Sequence, residues 1–153
     1  MSERADRLRE LGLSLPEVVR PLAAYVPAVR TGNLVFVSGQ LPVVDGKLPL
    51  TGKGGGKVSP EEAKELAGRA ALNAIAAAAA EAGGIDRITR VVKVTGFVAS
   101  TPEFTGHPGV INGASELIGQ VFGDAGAHAR AAVGVAALPL DAPVEVEMIV
   151  EVG

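Results

Sequence analysis

The chain has 153 residues, 48% hydrophobic and 20% charged, enough for one globular domain with its own core and too few for two. It has no cysteine, which excludes disulfides, thiolate metal sites and a cysteine nucleophile. Its 14 basic residues stand against 17 acidic ones, and only 3% of the chain is aromatic, so it lacks the basic footprint and stacking surface of nucleic-acid binders and no nucleic-acid partner is expected.

The opening stretch MSERADRLRELG has no apolar signal-peptide core, and no later run is long enough to span a membrane. A soluble, cytoplasmic protein without a membrane partner is therefore expected. Residues 3 to 11 read as a short helix with Leu8 and Leu11 on one side and Gly12 as its stop. Residues 1–20 are assigned to an N-terminal helical extension, a lid or a subunit contact, and residues 21–153 to a single domain.

From Tyr25 the pattern turns to β. YVPAVR and LVFVS flank Thr31-Gly32-Asn33, which suits a tight hairpin, and Pro27 marks the first strand as an edge or bulged strand. Asp45-Gly46 signals another turn, ahead of a glycine-rich loop, TGKGGGKVS, that reads as mobile. Ser59-Pro60-Glu61-Glu62 combines an N-cap, a proline at the first helical position and a capping-box glutamate, so a long helix starts there and runs to Gly83-Gly84.

ITRVVKVTGFVAS then predicts a strand of about ten residues, and a second helix starts near Pro108. Val110, Ala114, Leu117 and Val121 give that helix one apolar face, while Asn112, Ser115, Glu116 and Gly119 fall on its wet face. Residues 130 to 138 and 144 to 152 read as two strands joined as a hairpin around PLDAP. The expected architecture is α+β, with two helices packed on one face of a mixed sheet.

Several candidate sites reduce to simpler readings. GKGGGKVS looks like a phosphate cradle, but Val58 follows Lys57 where a Mg2+-binding hydroxyl is needed, so it reads as a surface loop. His107 and His128 have no metal-ligand spacing and are placed in loops facing water; no metal and no cofactor are expected. Ser38 lacks a nucleophile elbow, although backbone N–H groups at such a strand end can bind an anion.

Arg130 keeps two readings. It is a solvated strand-end arginine or, with only Ala132, Gly134 and Ala136 beside it on one face, a cation lining a pocket. In a hairpin turning near residue 140, Glu145 would lie about 20 Å away, so a site using both would need two chains. Glu145, Glu147 and Glu151 otherwise read as an outward, solvated strand face.

YVPAVRTGNLVFVSGQLP near the start and ARAAVGVAALPLDAPVEVEMIVEV at the end, with the capped helix and VVKVTGFVAS in order between them, resemble the RidA/YjgF family of reactive enamine/imine deaminases, often labelled endoribonuclease L-PSP. The resemblance implies a chorismate-mutase-like (YjgF-type) fold, a homotrimer with clefts between subunits, and hydrolysis of 2-enamino or 2-imino acids such as 2-aminoacrylate to 2-keto acids and ammonia. It implies a small-molecule carboxylate as substrate, held by Arg130, with Glu145 beside the attacking water.

By the same resemblance Tyr25 lines the site and Ser38, Gly39, Ala132 and Asn112 complete the substrate-binding set. Ala23-Ala24 replaces the usual Gly-Pro and Ala132 stands where cysteine is common, marking a divergent subgroup. A non-catalytic metabolite-binding module is the alternative, and an endoribonuclease a third.

Overall fold

A computed structural model describes residues 3–18, 20, 21 and 23–153. The first hairpin joins β1 (Ala28–Thr31) to β2 (Leu34–Gln40) through Gly32-Asn33, with Gly32 at φ 59°, a conformation that glycine adopts without steric cost. As Pro27 suggested, β1 is an edge strand. Asp45-Gly46 forms the expected tight turn, but it closes only the single bridge Val44–Lys47.

α1 (Glu3–Glu10) precedes this hairpin, and α2 (Pro60–Ala82) starts where its sequence says it should. Ser59 Oγ accepts from the Glu62 amide at 3.1 Å, the Glu62 carboxylate accepts from the Ser59 amide at 2.9 Å, and Gly83 closes the helix in the left-handed conformation. Its buried alanines, among them Ala67, Ala71, Ala74 and Ala78, bring the helix axis close to the sheet. β3 (Ile88–Ala99), α3 (His107–Phe122), β4 (Ala129–Val135) and β5 (Val144–Val152) follow.

The sheet order is β1-β2-β5-β3-β4, antiparallel except for the parallel pair β3 and β4. This is the mixed sheet under two helices that the α+β reading predicts. β5 is central, with Val144, Val146, Met148, Val150 and Val152 buried beneath the helices and Glu145, Glu147, Ile149 and Glu151 on the opposite face. α1 buries Leu8 and lies against α3, with Arg7 Nε donating to the Gln120 carbonyl at 2.8 Å.

The hairpin expected between the last two strands does not form. β4 pairs with β3, and β5 lies on the other side of β3. A helix between β3 and β4 makes them a parallel crossover unit, and the linker 136–143, with positive φ at Leu140 and Asp141, carries the chain past the end of β3. Nor is the glycine loop free. Gly54 donates to the Ala99 carbonyl at 2.7 Å and accepts from Thr101, and Gly52 donates to the Asp141 carbonyl at 2.9 Å. Gly52 and Gly54 are buried, and a β-carbon would meet the Lys57 side chain at the first and press on Val98 at the second.

Two glycines set the position of α3, one beneath it in the sheet and one on its side facing α2. A β-carbon on Gly96 of β3 would meet Ile111 from above, and one on Gly113 would overlap the Lys64 carbonyl of α2. With both bare, Ile111 seats directly on β3, and Asn112 and Ser115, three residues apart on one helical face, turn toward β4.

Candidate functional site

Arg130 pairs in register with Val94 of β3, whose side chain is buried under the helices, so its own side chain rises on the helix-covered face of the sheet. There Nη1 donates to Asn112 Oδ1 at 2.8 Å and to Ser115 Oγ at 3.3 Å, with a longer contact from Nη2 to the Pro108 carbonyl at 3.5 Å. The residue is nonetheless exposed. The described ion pairs are Arg7–Glu10, Arg9–Asp6 and Lys64–Glu116, and Arg130 is in none of them. Its charge is oriented by neutral oxygens and meets no carboxylate among the described residues.

Asn112 and Ser115 therefore do not simply face water, as the helical spacing suggested. The histidines need the same correction. His128 is half-buried, with Nδ1 2.6 Å from the Gly126 carbonyl and Nε2 2.9 Å from Ser115 Oγ. His107 opens α3, with Nε2 3.1 Å from Ser100 Oγ and its ring edge-on to Phe104. Sequence reasoning passes over Ser115 and His128 because the strand-to-helix contact that unites them is tertiary; the only signal is the shared face of Asn112 and Ser115. Ala132 follows Arg130 on the same face and packs against the core.

Glu145 lies elsewhere. It pairs with Phe97, three positions along β3 from Val94, and its side chain projects from the open face of the sheet. The two residues are separated by about 10 Å along the strands and about 10 Å across them at ordinary strand spacings, on opposite faces. That replaces the longer separation read from a hairpin. Burial, and then the Glu147 carboxylate two residues on, push the Glu145 carboxyl above its ordinary value.

Gly39 stands with Glu145. Val37 opposes Met148 and Gln40 opposes Val146, so Ser38-Gly39 bulge against Glu147 alone. A β-carbon on Gly39 would overlap the Glu145 carboxylate, which makes the bare backbone part of that carboxylate's seat. Ser38 Oγ donates to the Val26 carbonyl at 2.7 Å, and neighbouring Tyr25 is 61% exposed. The sequence candidates thus fall into two groups. Arg130, Asn112 and Ala132 form one on the helix side, and Ser38, Gly39 and Glu145 form another around β2 and β5, with Tyr25 close by in the chain.

Among the described residues no three of His, Asp and Glu gather into a metal-holding group, and no helix is long and apolar enough to cross a membrane. The open sheet face exposes Val29, Phe36 and Val133.

A family model described as YjgF/chorismate mutase-like, with endoribonuclease as a provisional label, matches residues 5–152. Protein TCP17 of Trypanosoma cruzi is 45% identical over 148 residues, covering 96% of this chain and 92% of that protein. The crystal structure of Atu1372 from Agrobacterium tumefaciens, a protein of unknown function, is 48% identical with a TM-score of 0.90, over 99% of this chain and 94% of that one. The Escherichia coli TdcF structure with bound serine is 27% identical with a TM-score of 0.62, over 88% of this chain and 92% of that one.

Proposed function

This chain belongs to the YjgF/chorismate mutase-like family, and from that premise we propose that it is an enamine/imine deaminase acting on small 2-imino acids such as the one derived from 2-aminoacrylate. One observation carries the reading: Arg130 is held by Asn112 and Ser115 with no carboxylate partner in its own chain among the described residues. A guanidinium fixed by neutral acceptors suits a substrate carboxylate, and the serine bound by TdcF carries such a group.

The chemistry is a hydrolysis. The enamine takes up a proton at carbon to become the imine, water adds to the imine carbon, and the C–N bond then breaks to release a 2-keto acid and ammonia. Glu145 is suited to move the protons. Ionised, it accepts one from the attacking water; protonated, it returns one to the departing nitrogen. A carboxyl raised by burial does both closer to neutral pH than an ordinary glutamate.

Arg130 and Glu145 project from opposite faces of one sheet, which supports a cleft shared between two copies of the chain, as in a homotrimer. The apolar residues exposed on the open face, Val29, Phe36 and Val133, support burial against a neighbour. Sedimentation equilibrium measures the stoichiometry.

The test of the reaction is ammonia release from an imine generated in situ by an amino-acid oxidase. Wild-type protein should accelerate it, and Arg130→Gln should lower kcat/KM about ten- to a hundredfold, the value of a charge-assisted carboxylate contact. Equal rates with wild-type, variant and no protein would end the enzymatic reading. If pyruvate stabilised the fold while the imine lifetime stayed unchanged, the cleft would instead be a metabolite-binding site.

A further inference from the structure

We propose that His128 and Ser115 are positioning residues for Arg130, joined to it in a hydrogen-bond relay of fixed direction that pre-sets the guanidinium for a carboxylate. The inference rests on the reading of Arg130 as the carboxylate anchor. It adds two residues that the anchor needs but that touch no substrate.

The direction follows from which atoms can donate. The Gly126 carbonyl can only accept, so at 2.6 Å from it His128 Nδ1 carries the proton. In the neutral ring Nε2 is then an acceptor, and the Ser115 hydroxyl, 2.9 Å away, must donate to it. With its proton committed, Ser115 Oγ turns lone pairs outward, and Arg130 Nη1 donates to one of them at 3.3 Å. The same nitrogen donates to Asn112 Oδ1 at 2.8 Å. Two acceptors three residues apart on one helix thus hold one edge of the guanidinium in place.

The backbone is built to deliver this chain of bonds. The 3-10 turn Gly123–Gly126 folds back on α3 so closely that a β-carbon at Gly126 would lie 2.8 Å from the Ile118 carbonyl. That contact fixes the carbonyl that selects the His128 tautomer. His128 and Arg130 are two residues apart where the chain enters β4, so both side chains reach the same face of α3. An unrestrained arginine would lose much of its side-chain freedom on binding, and the relay removes that loss beforehand.

Three variants and two measurements test this. Ser115→Ala removes the relay oxygen, Ser115→Thr keeps it, and Asn112 stays as the second acceptor in both. For imine hydrolysis, Ser115→Ala should raise KM about three- to tenfold with kcat changed less than about twofold, because an anchor gripping ground and transition states alike acts on KM. Ser115→Thr should restore KM. His128→Asn, which keeps a donor for Gly126 but has no Nε2, should raise KM in the same direction.

The second measurement needs no turnover. In 15N NMR at pH 8, His128 should show the Nδ1–H tautomer, and the Arg130 Nη groups should exchange by rotation more slowly in wild-type and Ser115→Thr protein than in Ser115→Ala, where Asn112 alone restrains Nη1. An Nε2–H tautomer, or identical Nη averaging in all three proteins, overturns the relay. So does a Ser115→Ala variant that loses kcat at constant KM, which is the mark of damaged folding. A wild-type protein with the expected spectra but no turnover refutes the deaminase and leaves the relay standing.

Discussion

Gly39→Ala separates the position of the Glu145 carboxylate from its chemistry. The added β-carbon would overlap Glu145 Oε2 and lie 2.8 Å from Cδ and 3.2 Å from Cγ, so the side chain must swing away from Cγ outward. Gly39 does not have a positive φ, so alanine fits the backbone there. Restricting the unfolded chain then contributes about 0.4–1 kcal/mol of stability. Forcing Glu145 from its rotamer costs about 0.5–1.5 kcal/mol. The two nearly cancel, and net stability should stay within about 1 kcal/mol of the parent. Activity should not. A catalytic group displaced by about an ångström or more loses about a hundredfold in rate, so kcat for imine hydrolysis should fall by about that factor while KM, set by Arg130 on the other face, holds. The assays are ammonia release and urea unfolding at one fixed protein concentration, because oligomer stability depends on concentration. A variant that keeps its rate with Glu145 shown displaced would refute the role given to the carboxylate. A loss of more than about 2 kcal/mol would instead show that the bulge is a packing element with no slack.

Glu145→Gln gives a pH-dependent stability with a defined sign. Because the folded state raises this carboxyl above the ordinary 4.5, the proton there favours folding below that pH, and the benefit is lost as pH rises through the raised value. The glutamine variant should therefore be more stable than wild type at pH 7 to 8, with the gap closing on acidification in urea titrations; the opposite sign would mean that the guanidinium which the proposed cleft brings from another copy comes close enough to Glu145 to outweigh burial. Gly113→Ala places a β-carbon on the Lys64 carbonyl, which cannot rotate aside, whereas nothing lies within 4 Å of a β-carbon on Gly119 of the same helix. Overpacking at Gly113 should cost a net of about 2 kcal/mol and lower Tm by roughly 4–8 °C, while Gly119→Ala should raise Tm slightly through helix propensity. Equal shifts in the two variants would show that the α2–α3 contact does not limit stability.

What can be read from the sequence is local. Ser59, Glu62 and Gly83 bound a helix because capping is settled within four residues, and Thr31-Gly32-Asn33 specifies a hairpin because a two-residue loop allows little else. A β4–β5 hairpin does not follow, because adjacency in sequence is not adjacency in the sheet. The helix between β3 and β4 demands a parallel partner, and eight linker residues with two prolines are more than a tight turn needs. The glycine loop looks mobile because glycines permit freedom, yet here they permit contact. Arg130 and Glu145 can be named by resemblance, but their opposed faces depend on register, which no local pattern carries. Ser115 and His128 depend on the same register and on Gly126, whose carbonyl means nothing until the turn is folded.

Register also bears on what the cleft can hold. If it joins the Arg130 group of one copy to the Glu145 group of another, it sets one guanidinium, already steadied by Asn112 and Ser115, against two carboxylates, Glu145 and Glu147, on the facing strand. A nucleic-acid strand carries a negative charge at every phosphate and needs several cations to replace its counterions. Two carboxylates in the path would repel it, in a chain whose net charge is already -3. A small 2-imino acid makes the opposite demand. Its single carboxylate needs one arginine, and the attacking water, whose oxygen gains positive character as it bonds to the imine carbon, is best placed next to a carboxylate that can take its proton. The pairing that disfavours RNA is therefore the one that hydrolysis of a C=N bond requires.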